Sequence, residues 1–148
     1  MLALIVIVLA WIAARRYRQH SRLRKVCSHA LAELERCTER LANADTADLS
    51  SAKLRYLNEV NSVIRRVALV HYPQSGIASL DGSAWVDFIR QKGESSGMTD
   101  EIAAALSYGR FQKHCDVDVD ALGRFAHQWV TSLYLHRQTP VPAQGLSH

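Results

Sequence analysis

The sequence predicts an all-α protein: one N-terminal transmembrane helix that continues into a small cytoplasmic bundle of about five helices. Three observations carry this reading. Residues Met1 to Ala14 (MLALIVIVLAWIAA) contain no polar residue, and a stretch that is apolar on every side fits poorly on a half-exposed surface. Beyond it, apolar residues recur at three- and four-residue spacing, the period of an amphipathic α-helix. No segment shows sustained alternation with period two, so no sheet is expected.

The anchor is read together with its flank. Six of the eleven residues from Arg15 to Lys25 are basic (Arg15, Arg16, Arg18, Arg22, Arg24 and Lys25) and none is acidic. Lys and Arg beside a hydrophobic helix stay on the inner side, so the N-terminus should face outward and the rest should lie in the cytoplasm. We assign residues 1–17 to the anchor and 15–25 to a juxtamembrane flank that faces anionic lipid, at about 1 kcal/mol per charge. The apolar run is short, about 21 Å of helix against a hydrocarbon core of about 30 Å. Trp11 and Tyr17 straddle the boundary, and the Arg stems can snorkel to lengthen the span. A signal peptide would carry its positive charge before the apolar run, whereas here all of it follows.

Charge excludes one function class. The chain is +4 with a pI near 9.2. Setting aside the six flank charges leaves twelve basic residues against all fourteen acids, or −2. The folded part carries no basic stripe, and nucleic acid is not expected as a partner. Residues 26–137, about 110 of them, suffice for one modest core. Cys27, Cys37 and Cys115 are odd in number and lack CxxC spacing, which reads as free thiols in a reducing compartment. The tail 138–148, with two prolines and little to bury, reads as disordered.

The helices follow in order. Leu23, Cys27, Ala30, Leu34, Cys37 and Leu41 form one stripe of a first helix, which no Gly or Pro separates from the apolar run. Asn43 to Ser50 is a loop rich in capping residues. A second helix starts near Ser51 with Leu57, Val60, Ile64, Val67 and Ala68 inward, and must stop near Tyr72 because Pro73 follows. Asp81-Gly82-Ser83 turns into a third helix with Trp85, Phe88 and Ile89 on one face, closed by Gly93. Thr99 caps a short fourth helix, with Asp100 and Glu101 favourably placed against its dipole. The fifth carries Val119, Leu122, Phe125, Ala126, Trp129, Val130 and Leu133 and ends at His136-Arg137.

Candidate chemistry is sparse. Asp116-Val-Asp118-Val-Asp120 resembles the start of a calcium loop, but Ala121 holds the turn position and His127 the twelfth. We read these acids as capping the last helix. His114-Cys115-Asp116 has metal-capable side chains, yet adjacent loop residues rarely converge on one ion and no second His/Cys pair completes a site. His71 is read as satisfying a backbone group at the end of the second helix. No nucleophile elbow, phosphate-binding Gly loop or HExxH zinc helix occurs. We therefore assign no catalytic residue, cofactor or metal, and expect no enzyme.

One segment has a familiar pattern. In IRRVALVHYPQSGIASLDGSAWVDFI, the residues Arg65, Arg66, Val67, Ala68, Tyr72, Pro73, Ile77, Ala78, Leu80, Gly82, Trp85 and Phe88 stand at the spacing of a known signature. By these residues the chain resembles a bacterial family of membrane-anchored domains of unknown function (domain-of-unknown-function family 4381). Tyr108 and Trp129 resemble its later aromatic positions. Gln74-Ser75 stand where the family favours an Arg and an acidic residue. The resemblance implies a bacterial inner-membrane protein and a context: such proteins are encoded beside MoxR-type AAA ATPases and membrane proteins with von Willebrand factor A domains.

Read physically, the same motif is a corner. Pro73 ends a helix, Ser75-Gly76 lets the chain reverse, and Ile77, Ala78 and Leu80 re-enter the core. Its functional reading is a docking surface bordered by Arg65, Arg66, Tyr72 and Trp85, since Arg and aromatics tend to carry interface energy. On the second helix Arg65 falls roughly opposite Val67 and should be fully solvated. Arg66 should lay only its stem along the core edge. Two functions remain: a membrane adaptor that binds partner proteins, and a small-ligand sensor or enzyme with an unrecognised pocket.

Overall fold

The computed structural model describes residues 1–111, 113 and 116–136. His114, Cys115, Arg137 and the tail 138–148 lie outside the described residues. The described residues form five α-helices: α1 (Leu2–Ala42), α2 (Leu49–His71), α3 (Gly82–Lys92), α4 (Asp100–Tyr108) and α5 (Val119–His136). Three single 3-10 turns, Thr46–Asp48, Ile77–Ser79 and Gly109–Phe111, sit in the connections, and no strand occurs among the described residues.

With no Gly or Pro to interrupt it, α1 runs unbroken for 41 residues. Leu23, Cys27, Ala30, Leu34 and Cys37 are buried, on the stripe that their four-and-three spacing predicts. They pack against α2 and α5, which also touch each other, so three helices enclose the main core. α3 and α4 pair with one another, and the turn Gly109–Phe111 rests on α2. Every core position expected on α2 and α3 is buried, as are Leu122, Phe125, Ala126, Trp129, Val130 and Leu133 on α5.

The expected transmembrane helix is the main correction. No helix among the described residues is long and apolar enough to cross a membrane. The physical reason is the position of the charges. An eighteen-residue stretch from the start of the chain already takes in Arg15, Arg16 and Arg18.

Local signals fix the helix ends. The Thr99 hydroxyl accepts from the Ile102 amide at 3.2 Å. One Asp118 oxygen accepts from the amides of Asp120 and Ala121 at 2.9 and 3.1 Å, so this acid caps α5. Gly93 closes α3 for a different reason than expected. Its backbone is extended (φ −141°), not left-handed, and a Cβ there would collide with the Trp129 ring. Ala78, expected in the core, is exposed; Ile77 is buried and Leu80 half-buried.

Trp129 joins two layers. Fully buried on α5, it donates from Nε1 to the carbonyl of Ile89 on α3 at 2.9 Å. Trp129→Ala should therefore cost about 3–5 kcal/mol, from lost burial plus a cavity. Urea unfolding of the full chain checks this; a midpoint equal to wild type would remove Trp129 from the core.

Candidate functional site

The corner between α2 and α3 is built around one guanidinium. Tyr72 ends α2 ahead of Pro73, and Gly76, at φ +62°, turns the chain back. Ile77 then enters the core, and Gly82, at φ +50°, opens α3. The returning strand of chain points its carbonyls at α2. Arg65 Nη1 donates to the carbonyls of Ile77 at 3.1 Å and Leu80 at 2.7 Å. The same guanidinium lies 4.3 Å from the centroid of the Trp85 ring. From beneath, the Trp85 indole donates to Asn61 Oδ1 at 2.8 Å. Phe88 stacks on Trp85, and Tyr72 meets Phe88 edge-on at 5.6 Å. Lys92 Nζ lies 5.3 Å over the Tyr72 ring.

This overturns the expectation that Arg65 is fully solvated. Asn61, Arg65 and Tyr72 are spaced four and seven apart, which sets them along one side of α2. The sequence reading gave α2 one covered face, whereas the chain after Pro73 covers this second side as well. Asn61 was missed, and its signal was the four-residue spacing to Arg65. Of the four candidate docking residues, Trp85 has no exposed surface, Arg65 and Tyr72 are half-buried, and Arg66 is exposed. The structure brings Arg65, Tyr72 and Trp85 together in the corner and leaves Arg66 on another face.

Arg66 borders a groove between α1 and α2. One end, about 470 Å³, is lined by Val26, Ala30, Val63, Val67 and Val70, with Lys25, His29 and Glu33 at its edges. The other, about 530 Å³, is the more polar of the two and includes Cys37, Arg40, Leu54, Arg55, Glu59 and Lys113. Glu33, Val63 and Arg66 line both ends, so the two are continuous. At the polar end Arg40 pairs with Glu59 at 3.2 Å and Glu33 at 3.8 Å, and donates to Cys37 Sγ at 3.5 Å. Burial, reinforced by Glu59, pushes the Cys37 thiol up. Burial does the same to Cys27 and to the Tyr56 phenol.

The basic flank occupies the free part of α1. Arg15, Arg16, Arg18, Arg22, Arg24 and Lys25 are all exposed, and Arg15 lies 5.3 Å over the Trp11 ring. Where the flank meets the bundle, Arg16, Gln19, His20 and Leu23 share a cleft of about 370 Å³ with His71, Leu133 and Tyr134. Among the described residues no three His, Cys, Asp or Glu side chains converge as a metal site would require.

Residues 1–132 match the family described as Domain of unknown function (DUF4381). The chain belongs to this family. No curated protein and no solved structure matches it. Of the signature residues of this DUF4381 chain, the corner holds Arg65, Tyr72, Ile77, Leu80, Gly82, Trp85 and Phe88.

Two outcomes follow from this geometry. Arg65→Ala should destabilise the fold by about 2–3 kcal/mol, because two carbonyls lose a charged donor. Arg66→Ala should stay within about 0.5 kcal/mol of wild type, as exposed positions do. Equal urea midpoints for the two variants would mean that the clamp contributes nothing. The second outcome concerns pH. The folded chain holds the protons of Cys27, Cys37 and Tyr56 more tightly than the unfolded chain. Their contribution is thus complete below the ordinary thiol pKa, about 8.5, and is lost as pH rises through the raised folded values. The urea midpoint should fall steadily above about pH 8.5, and Cys37→Ala should make the fall shallower. A midpoint independent of pH in that range would contradict it.

Proposed function

We propose that this protein is an accessory protein attached to the bacterial inner membrane, whose helical domain docks partner proteins on the cytoplasmic side. One observation carries the reading: the N-terminal third of α1 is apolar and bare. Leu2 is 81% exposed, Ile7 63% and Trp11 62%, on a helix whose other half is locked in the core. An exposed apolar surface of that extent marks a site covered by lipid or protein. The basic flank, next along the same helix, favours a lipid surface of negative charge.

Docking is favoured over small-ligand chemistry by the form of the surface. The α1–α2 groove is long and open; its charged residues are Arg and Lys with two acids already paired to Arg40, and its other ionisable groups, His29 and Cys37, lie at opposite ends. A ligand site is more often an enclosed pocket with a few converging polar groups. The family resemblance names the first partners to test: a MoxR-type AAA ATPase and a membrane protein with a von Willebrand factor A domain.

Flotation with vesicles containing anionic phospholipid tests the attachment. The wild-type chain should float, and Leu4→Asp with Val8→Asp should abolish flotation. Each Leu or Val withdrawn from lipid forfeits about 1.5–3 kcal/mol, so binding should fall at least about 100-fold. Melting should not change, since both side chains are exposed. Wild-type chain that stays with the free fraction would refute the attachment.

A further inference from the structure

We infer that the α1–α2 groove receives an acidic amphipathic helix from a partner protein. The inference rests on the docking reading above and names the chemistry of the partner. Length comes first. Along α1 the groove runs from Lys25 to Arg40, about 22 Å or four turns of helix. Along α2 it runs the opposite way, from Ser51 to Val70. An antiparallel helix pair with an open groove between its members is the surface into which a further helix packs.

The floor is suited to close approach. Ala30, Val63 and Val67 are buried side chains of small or branched shape, with Val26 and Val70 rising at the edge. The rim decides the charge. Glu33 and Glu59 are held by Arg40, and Glu33 also by Arg36 at 3.1 Å. Lys25, Arg55, Arg66 and Lys113 have no acidic partner among the described residues. A helix with apolar anchors and acidic flanks meets four such cations, whereas a basic helix is repelled. The chain's own tail, QTPVPAQGLSH, has no acidic residue and two prolines, so its chemistry does not match.

The test uses the full chain in nanodiscs of zwitterionic lipid, panned against a displayed library of sixteen-residue helices. The library fixes Leu at three- and four-residue spacing and leaves the other positions free. The selected peptides should be net acidic. Their affinity should fall at least tenfold on Arg66→Glu and on Arg55→Glu, and should weaken as salt rises. Arg18→Glu, on the exposed flank, should change it less than twofold, and melting should be unchanged in all three variants. Neutral or basic winners, or no enrichment, would overturn the proposal. So would an equal loss on Arg18→Glu, which would put the binding on the flank. A dimer in sedimentation that Arg66→Glu dissociates would seat a second copy in the groove and overturn it too. Vesicle flotation of the same variants reads attachment separately: a chain that floats but selects no acidic helix refutes the groove alone.

Discussion

The constraint on which the rest depends is that α1 is one uninterrupted helix. Its second half is fixed by Leu23, Cys27, Ala30, Leu34 and Cys37 against α2 and α5. A continuous hydrogen-bond ladder transmits that direction to its first half, so residues 2–15 run on past the cleft at Arg16 and stay exposed. Sharp kinks need a Pro, a Gly/Ser pair or an inserted group, and the sequence between Leu2 and Ala42 has neither Pro nor Gly. The bare apolar end, the basic flank and the groove therefore lie in a fixed order along a single axis. On the proposed reading, that order sets the groove about 15 Å of helix beyond the first flank Arg.

Two indoles tie the smaller helices to this frame. Trp85 and Trp129 are both fully buried, yet each indole N–H has an acceptor, Asn61 Oδ1 and the Ile89 carbonyl. A buried indole left without one would forfeit much of what its burial contributes. α3 thus connects to α2 through one ring and to α5 through the other. Gly93 belongs to the same device, because only a residue without Cβ lets the chain pass the Trp129 ring at the end of α3.

Much of this was legible in the sequence, and the misses at the corner and the groove share a cause. Periodicity located five helices and much of the core, because each helix buries an apolar stripe whose spacing survives in one dimension; it did not name Tyr56, Val63 or Val86, nor Ile102 and Leu106 on α4. The Tyr72-Pro73 stop and the Thr99 and Asp118 caps are chemical signals of the same local kind. Ala78, Arg65 and Asn61 were misjudged because their surroundings come from chain that folds back from elsewhere. Arg65 is polar and sits off the apolar stripe, so only knowledge of where the Ile77 and Leu80 carbonyls lie reveals its role. The groove was illegible for the same reason: its walls come from two different helices, and Glu33 and Val63, which face it from opposite sides, are 30 residues apart in the chain.

The basic pair Arg65-Arg66 shows how a single residue step along a helix separates a packed corner from an exposed rim. Neighbouring residues differ by 100° around the axis. That angle is enough to put one guanidinium over Trp85 with two carbonyls in its grasp, and the other at the rim of an open groove. The long, forked Arg side chain suits both places, since it can bridge two acceptors or meet a carboxylate bidentately. A Lys at position 65 would supply the charge without the planar face that lies on the indole. The corner thus depends on guanidinium geometry, whereas on the proposed docking the rim at Arg66 depends chiefly on the sign of the charge.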